Sequence, residues 1–351
     1  MKIGLLGLPG SGKSACFRAV TGKAQEGRHG DDIAVVEVPD DRLPRIAGIY
    51  GSEKMTPPEL VVVDLTALSK GEDVGNRQSH LSNAAGDADA FALVIQAFGT
   101  INHLGGELDP KSDLEDLLLE LCLTDLDVIS GRLKRLEDGS VAKRDRSQFE
   151  INTLQKCYRH LEQGAPMLQL KLEPEAEKLL RGFGLLTMRP MLVVFNVGEE
   201  DLAGARMAAA REYAAIVGLP SLVFCAELEE EILQLAPAEQ EEFLADYGLD
   251  GSARDRLIKA AYDALDIITF YTSAGTEARA WTVRAGTTAH EAAGKIHTDM
   301  AEKFVRAERI AGAALCEAGS EAEAKKRGDW SLEGTDYIVQ DGDLLLIRFT
   351  H

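Results

Sequence analysis

Runs of apolar, often β-branched residues alternate along this chain with stretches of helical period. The clearest run, residues 59–64, has the sequence Glu-Leu-Val-Val-Val-Asp, and residues 191–196 are Met-Leu-Val-Val-Phe-Asn. Short apolar runs bounded by turn residues are typical of buried strands. Further runs of this kind lie at residues 2–6, 33–38, 90–98 and 221–226. Strands separated by helical patterns predict an α/β fold.

A different period occupies the middle of the chain. From Ser112 onward, leucines and other apolar residues recur at helical spacing with charges between them, until residues 137–140 interrupt the pattern. The same spacing resumes at Ile151. It predicts an antiparallel helical hairpin, essentially a short coiled coil, inserted into the α/β part. The sequence Ser-Asp-Leu-Glu at 112–115 resembles a capping box and predicts that the first helix starts there.

The last part of the chain is rich in strand patterns. Strands are predicted at 267–271 and 278–283, and a helix across 290–300. An Asp-Gly pair within 337–349 predicts a β-hairpin. The chain is therefore expected to have three parts: an α/β domain of residues 1–106 and 182–266, the helical hairpin of 107–181, and a ubiquitin-like β-grasp domain of 267–351.

The loop after the first strand fits the phosphate-binding pattern G-x-x-x-x-G-K-S/T. Glycines let backbone N–H groups turn inward, and the N-terminus of the following helix favours a polyphosphate. Lys13 is expected to reach the β- and γ-phosphates, and the Ser14 hydroxyl to ligate Mg²⁺. The motif predicts a P-loop NTPase with a G-domain fold; a glycine-rich turn that matches by chance is the alternative. The predicted phosphate-binding residues are Gly7, Leu8, Pro9, Gly10, Ser11, Gly12, Lys13, Ser14 and Ala15.

The strand at 59–64 ends in a carboxylate. Downstream of a P-loop, an Asp in this position is the expected Walker B residue, which holds Mg²⁺ directly or through water. Asp64 and Ser14 are therefore the predicted metal ligands, and Mg²⁺ is the predicted cofactor. The alternative is an Asp that only forms the turn after the strand.

The strand at 191–196 leads into the sequence Asn196-Val197-Gly198-Glu199. In P-loop GTPases the corresponding strand ends in Asn-Lys-x-Asp, whose carboxylate accepts hydrogen bonds from guanine. Here the Lys is absent and the carboxylate of Glu199 is on a longer arm, whereas an Asn can pair with adenine through N6 and N7. Asn196, Val197 and Glu199 are the predicted base-binding residues, with adenine preferred. The alternative is a strand-end Asn that only caps the loop.

Composition limits where such a protein would work. The 351 residues carry a net charge of −20, and this acidity repels nucleic acid unless a local basic patch overcomes it. Five cysteines without a C-x-x-C pair argue against a disulfide framework or a zinc site. The chain does not open with a signal-peptide pattern, and no apolar run reaches about 18 residues. We therefore expect a cytoplasmic protein without a membrane span.

One local basic patch lies at the predicted tip of the hairpin. Residues 132–146 carry six basic and three acidic side chains. This segment is either a solvated helix face or a docking point for RNA or an acidic partner. The basic residues are Arg132, Lys134, Arg135, Lys143, Arg144 and Arg146.

Together these motifs resemble the YchF/Obg-like ATPase family of translation-factor P-loop NTPases. The likeness covers nearly the whole chain and rests on the inserted hairpin and on residues 7–14, Asp64, Leu68, 70–72 and 196–199. In the C-terminal part, the family's TGS domain is similar to segments 279–282, 292–299 and 337–343. The resemblance implies a cytoplasmic NTPase that prefers ATP, can also bind GTP, uses Mg²⁺ and associates with ribosomes.

The resemblance also implies roles in hydrolysis. In the family a hydrophobic residue replaces the water-orienting Gln of Ras-like enzymes, and Leu68 is similar here. The family also carries a His in the loop that follows residue 98, so His103 is the candidate for positioning the attacking water. Leu68, His103 and Lys13 are thus the predicted catalytic residues. An exposed loop histidine without such a role is the alternative for His103.

Two departures from the family concern the γ-phosphate. Ala67 stands where the family motif Asp-x-Ala-Gly has its glycine, and the loop between Gly22 and Ile33 contains no Thr to contact Mg²⁺. Binding is therefore better supported than hydrolysis. The leading hypothesis is slow, Mg²⁺-dependent ATP hydrolysis, and the alternative is a non-hydrolysing, nucleotide-gated scaffold on ribosomes. A small-molecule kinase is a third hypothesis, for which the hairpin is a poor match to an arginine-bearing lid.

Overall fold

A computed structural model describes residues 1–23, 32–65, 85–137, 148–249 and 251–350. The chain divides into two compact units. The P-loop unit comprises Lys2–Val35 and Val61–Ala261, and the C-terminal unit comprises Val36–Leu60 and Tyr262–His351 together with Met1. No helix in the described ranges combines the length and the apolar character needed to cross a membrane.

A six-stranded sheet organises the first part of the chain, and the five strands from β4 to β7 in its order run parallel. Its strands lie in the order β2-β4-β1-β5-β6-β7, and the registers set Leu5 opposite Asp64 and Gln96 opposite Asn196. The chain builds β2 and β4 on one side of β1 and then crosses to β5 on the other side, which makes the carboxyl end of β1 the switch point where α/β sheets bind ligands. The strands are β1 (Lys2–Gly7), β2 (Asp32–Glu37), β4 (Glu59–Asp64), β5 (Ala90–Ala97), β6 (Met191–Val197) and β7 (Ser221–Phe224).

Helices cover this sheet, whose central strands are buried on both faces as parallel strands usually are. The helix after the P-loop is fixed at its far end, because Arg18 pairs with Glu230 at 2.9 Å and Arg254 donates to Val20 O at 2.9 Å. The helices are α1 (Lys13–Thr21), α5 (Pro174–Leu180), α6 (Ala208–Ile216), α7 (Ala226–Ile232), α8 (Pro237–Asp246) and α9 (Ala253–Leu265).

Two long helices, α3 (Pro110–Glu137) and α4 (Gln148–Glu162), form an antiparallel pair. Arg132, near the end of α3, binds Glu150, near the start of α4, at 2.7 Å. The predicted helix start at 112–115 is wrong. The helix begins at Pro110 because Asp109 Oδ1 accepts from the backbone N–H groups of Lys111 and Ser112, at 3.0 and 3.2 Å.

A buried carboxylate joins this pair of helices to the chain that enters β6. Asp125 on α3 accepts hydrogen bonds from Leu186 N at 2.7 Å, Thr187 N at 2.8 Å and Thr187 Oγ1 at 2.5 Å. Burial raises the pKa of Asp125 to about 6, although these donors and Arg189 favour its charged form. The hairpin is thus held to the sheet by a polar contact as well as by its apolar face.

The C-terminal unit is built on a second six-stranded sheet, in the order β11-β10-β12-β8-β9-β3. The order β9-β8-β12-β10-β11, with β8 and β12 parallel at the centre, is that of a β-grasp sheet. The strands are β3 (Lys54–Thr56), β8 (Ile267–Ala274), β9 (Glu277–Arg284), β10 (Phe304–Ala311), β11 (Ser331–Glu333) and β12 (Asp343–Phe349). The helices are α2 (Arg42–Tyr50), α10 (Ala289–Ile296), α11 (Thr298–Glu302), α12 (Gly312–Ala318) and α13 (Glu321–Arg327).

The hairpin predicted within 337–349 is wrong. The strand after the Asp341-Gly342 turn, β12, pairs with β10 and β8, whereas Ile338 before the turn makes only an isolated bridge to Thr288. The turn itself is present, with Gly342 at φ +86° as a left-handed position requires.

Residues 36–60 belong to the C-terminal unit, a feature that the sequence did not indicate. The strand β3 lies parallel to β9 at the edge of the second sheet. Asp40 caps α2 through Leu43 N at 3.0 Å and accepts from Tyr271 OH at 2.6 Å, and Arg42 binds Asp341 at 2.6 Å. The three-part division, with boundaries after residues 106, 181 and 266, stays a prediction.

Candidate functional site

The P-loop connects the end of β1 to the start of α1 in a tightly packed turn. Gly10 and Gly12 have φ values of +80° and +78°, a region that residues with a Cβ rarely adopt. A Cβ at Gly12 would lie 2.1 Å from Asn196 Nδ2, and one at Gly7 would lie 2.8 Å from Val94 O. The glycines are therefore required both by conformation and by the neighbouring strands β5 and β6.

Lys13, Ser14 and Asp64 meet at the carboxyl ends of β1 and β4. Lys13 Nζ is hydrogen-bonded to Asp64 Oδ1 and to Leu65 O, and Ser14 Oγ donates to Asp64 Oδ2 at 2.7 Å. Lys13 and Asp64 are both buried. The site thus brings one ammonium and one hydroxyl, from adjacent residues, to a carboxylate that lies 51 and 50 positions after them in sequence.

The donor set at this point suits Mg²⁺. This ion prefers hard oxygen ligands and commonly takes one or two from the protein, with phosphate and water supplying the others. The hydroxyl of Ser14 and the carboxylate of Asp64 are already within hydrogen-bond distance of each other. Both oxygen atoms therefore fit the predicted metal position.

Cys16, one turn into α1, is also buried beside this cluster. Burial raises the pKa of its thiol far above the ordinary value, and the nearby Asp64 carboxylate raises the pKa further. The thiol is therefore neutral and a poor nucleophile.

Asn196 connects the P-loop to the start of α7. Its Nδ2 donates to Ser11 O at 3.1 Å, and its Oδ1 accepts from Ala226 N at 3.1 Å. These are the contacts of the alternative interpretation, in which the Asn braces the loop. Val197 is buried at the end of β6, and Glu199 accepts from Tyr247 OH at 2.5 Å. Contact of these residues with a base stays a prediction.

His103 lies beside the P-loop, in the turn that follows β5. A Cβ built on Gly10 would be 3.0 Å from His103 Cβ, so the two backbones approach closely. The structure therefore brings His103 to the phosphate-binding loop, as its predicted role requires. Two neighbours, Gln96 and Asn102, hold this turn in place through side-chain hydrogen bonds. Neither residue was assigned a role from the sequence. The signal for such a turn was Asn102 with the two glycines after it.

Other predicted residues lie outside the described parts of the chain. They are Leu68, Ala67 and residues 70–72, the loop after Gly22 that lacks Thr, and the basic residues Lys143, Arg144 and Arg146. Of the remaining basic residues at the hairpin end, Arg132 is paired with Glu150, whereas Lys134 and Arg135 are exposed.

A Lys–Ser–Asp cluster at the switch point of a mostly parallel sheet, after a glycine-rich turn, defines the class of P-loop NTPases with a G-domain fold. The YchF-GTPase_C family model, described as "Protein of unknown function (DUF933)", matches residues 267–350. The "Ribosome-binding ATPase YchF" of Bacillus subtilis is 36% identical, covering 99% of this chain and 98% of that protein. The "Obg-like ATPase 1" of Caenorhabditis elegans is 31% identical, covering 99% and 92%. This chain belongs to the YchF family.

Solved structures agree with this assignment. The YchF GTPase of Schizosaccharomyces pombe superposes with a TM-score of 0.84 at 26% identity, covering 99% of this chain and 97% of that one. A GTP-binding protein from Pyrococcus horikoshii, at 18% identity and a TM-score of 0.63, shares the fold. The predicted fold class, a G-domain followed by a C-terminal β-grasp domain, is confirmed.

Proposed function

We propose that this protein binds ATP with Mg²⁺, hydrolyses it slowly and associates with ribosomes. The observation that carries the proposal is the 2.7 Å contact of Ser14 with Asp64, beside Lys13 at the end of β1. The names of the relatives, "Ribosome-binding ATPase YchF", support the same combination of nucleotide and partner. Work at the ribosome would make the protein cytoplasmic.

The triphosphate is held by the P-loop. The backbone N–H groups of residues 7–15, Pro9 excepted, and the N-terminus of α1 supply partial positive charge, and Lys13 supplies a full one. On binding, the Lys13 ammonium exchanges the Asp64 carboxylate for phosphate oxygens, and Asp64 and Ser14 become free to hold the metal ion. Bound Mg²⁺ supplies charge neutralisation on the phosphates.

Hydrolysis requires a water aligned with the γ-phosphorus. We assign its orientation to His103, which lies next to Gly10. To Leu68, four positions after Asp64 in sequence, we assign the place of the hydrophobic residue that replaces the water-orienting Gln of Ras-like enzymes. The water oxygen bonds to the γ-phosphorus, the bond to the ADP oxygen breaks, and the water proton passes to His103 or to phosphate.

Base recognition is assigned to the segment of Asn196, Val197 and Glu199. Asn196 uses one N–H and one oxygen lone pair of its amide on backbone groups, so a base would pair with the second N–H and the second lone pair. Glu199, which accepts from Tyr247 OH, stands at the position that corresponds to the guanine-binding Asp of GTPases. The lost Lys and the longer arm of Glu199 support a preference for ATP, with GTP as a second ligand.

Ribosome contact is assigned to the exposed basic residues of the hairpin end and to the β-grasp domain. Lys134 and Arg135 are exposed there, whereas Arg132 is engaged by Glu150. A local basic surface is the only way for a chain with net charge −20 to approach RNA phosphates. A solvated helix end without a partner is the alternative.

A second candidate function is a nucleotide-gated scaffold that binds ATP or GTP but does not hydrolyse them. Ala67 and the absence of Thr between Gly22 and Ile33 favour it, because both changes fall on groups that sense the γ-phosphate. Competition binding of ATP against GTP, followed by single-turnover phosphate release, separates the two functions. Tight binding with release over minutes to hours supports the enzyme, and tight binding without release supports the scaffold.

The same assay tests His103. In the His103→Ala variant we expect single-turnover release to slow by about 10²-fold, the usual contribution of one acid–base group, with nucleotide affinity unchanged. Equal rates in wild type and variant would return His103 to the class of exposed loop histidines.

A further inference from the structure

The turn that carries His103 is held by the side chain of its neighbour, Asn102. Asn102 Oδ1 accepts from Leu104 N and from Gly106 N, both at 3.0 Å, and Asn102 Nδ2 donates to Glu107 O at 3.3 Å. One side chain on the first leg thus binds backbone groups at the tip and on the second leg of the turn. Asn favours such turns because its short amide reaches nearby backbone atoms.

The base of the same turn is fixed to the sheet. Gln96, buried near the end of β5, donates through Nε2 to Ile101 O at 3.0 Å and to Phe98 O at 3.3 Å. The two legs of the turn pair through Leu108 N to Thr100 O at 3.2 Å. The base therefore has a defined position. The tip is held by two backbone bonds, Asn102 N to Gly106 O at 2.9 Å and Gly105 N to Asn102 O at 3.0 Å, and by the side chain of Asn102.

Apolar packing does not fix the tip. The two large apolar side chains that flank Asn102 and His103 are mostly in solvent, with Ile101 59% and Leu104 68% exposed. A segment with few buried contacts keeps its shape only through its hydrogen bonds. Asn102 adds three such bonds through its side chain to the backbone bonds of the tip.

We infer that Asn102 is a positioning residue that keeps His103 beside Gly10. The inference rests on the proposed role of His103 in orienting the attacking water. The close approach at Gly10, where an added Cβ would be 3.0 Å from His103 Cβ, leaves little tolerance for a displaced turn. A misplacement of about 1 Å in a catalytic group commonly costs about 10²-fold in rate.

The first test is kinetic and uses the full-length protein with ATP and Mg²⁺. In Asn102→Ala we expect kcat to fall by about 10- to 100-fold while KM and the nucleotide Kd stay unchanged. Asn102→Asp keeps both acceptor bonds and is expected to lie between this variant and wild type. The matched control is Asn152→Ala, which removes an exposed Asn that accepts from Gln148 at 2.9 Å on α4; its kcat is expected to equal that of wild type.

The double variant separates a positioning role from a general structural one. If Asn102 acts through His103, adding Asn102→Ala to His103→Ala slows turnover no further. Additive losses, or an Asn102→Ala variant with wild-type kcat beside a slow His103→Ala variant, would overturn the inference and leave the role of His103 intact. Wild-type turnover in His103→Ala would overturn both.

A spectroscopic readout does not depend on turnover. The chain has seven histidines, so the ring signals of His103 can be identified in NMR spectra by their loss in His103→Ala. Asn102→Ala is expected to shift or broaden these signals, and Asn152→Ala to leave them unchanged. Unchanged His103 signals in Asn102→Ala would overturn the inference even if the protein is a non-hydrolysing scaffold.

Discussion

The proposed chemistry of the site depends on two residues, Lys13 and Asp64, that would exchange each other for a nucleotide and its metal ion. Lys13 is buried and neutralised by Asp64, and Ser14 donates to the same carboxylate at 2.7 Å. A buried charge is tolerated only with such a partner. A triphosphate with Mg²⁺ offers a matched replacement, phosphate for Lys13 and metal for Asp64, so binding leaves no charge unpaired.

Removing Lys13 is expected to abolish nucleotide binding. In Lys13→Ala the phosphate loses its only full positive charge from the P-loop, and the Asp64 carboxylate near it loses its lysine partner. We expect the Kd for ATP, measured with a fluorescent analogue, to rise by at least about 10²-fold, the effect of losing a charge-assisted contact of about 3 kcal/mol. Lys111→Ala, at an exposed lysine paired with Glu115, is the control. Undiminished affinity would refute the P-loop assignment.

Among the elements, the helical hairpin is joined to the chain before β6 by a buried polar contact as well as by its apolar face. Asp125 lies inside α3 and accepts three hydrogen bonds from Leu186 and Thr187, just before β6. Its burial favours the neutral acid, and its three donors favour the carboxylate. The contact of Asp125 with Leu186 and Thr187 is therefore sensitive to pH.

The raised pKa of Asp125 predicts how stability changes with pH. The pKa is about 6 in the folded protein against an ordinary 3.8, so the folded state binds more protons than the unfolded state between these values. The contribution of Asp125 to the free energy of unfolding is then fully present below about pH 4 and falls as pH rises through about 6. Urea unfolding followed by circular dichroism should show wild type losing stability relative to Asp125→Asn over this range.

Thr187→Val gives a second comparison at the same contact. Removing a hydroxyl that donates to Asp125 disfavours the carboxylate and raises the pKa of Asp125 further. The pH range over which stability is lost should therefore extend upward. A difference between wild type and Asp125→Asn that does not change with pH would contradict the account.

An element could be predicted from the sequence where the residues that determine it lie close together along the chain. The P-loop and Asp64 were predictable because a local pattern sets their geometry, and the strands because apolar runs are local too. The pairing of the last strand could not be predicted. The sequence shows the Asp341-Gly342 turn, but it does not show that β12 pairs with β10 and β8. The start of α3 was missed because Asp109, a better cap, precedes the Ser112 pattern.

At the scale of the molecule, the chain alternates between its two units. Residues 36–60, between two strands of the first sheet, form part of the C-terminal unit through β3 and α2. The contact of Asp40 with Tyr271 joins residues 231 positions apart. No local pattern indicates such a contact, which is why this assignment could not be made from the sequence.

Loss of the Tyr271 hydroxyl is expected to weaken the C-terminal unit. Tyr271→Phe removes the shorter of two hydrogen bonds to Asp40 Oδ2 and leaves the one from Arg42 Nη2 at 3.2 Å. The loss should cost about 1–3 kcal/mol. Both tryptophans of the chain, Trp281 and Trp330, are in this unit, so their fluorescence during urea unfolding reports on it. Tyr158→Phe on α4 is the control and should leave the tryptophan transition unchanged. A Tyr271→Phe transition at the wild-type midpoint would contradict the proposed anchor.

The central claim is that the loop from Gly7 to Ser14 holds a nucleoside triphosphate. Isothermal titration calorimetry of the full-length protein with ATP, GTP, ADP or GDP, each with Mg²⁺, tests it most directly. The account predicts saturable heat at one site per chain for wild type, strongest with ATP, and none for Lys13→Ala. The absence of heat with all four nucleotides in folded wild-type protein would contradict it.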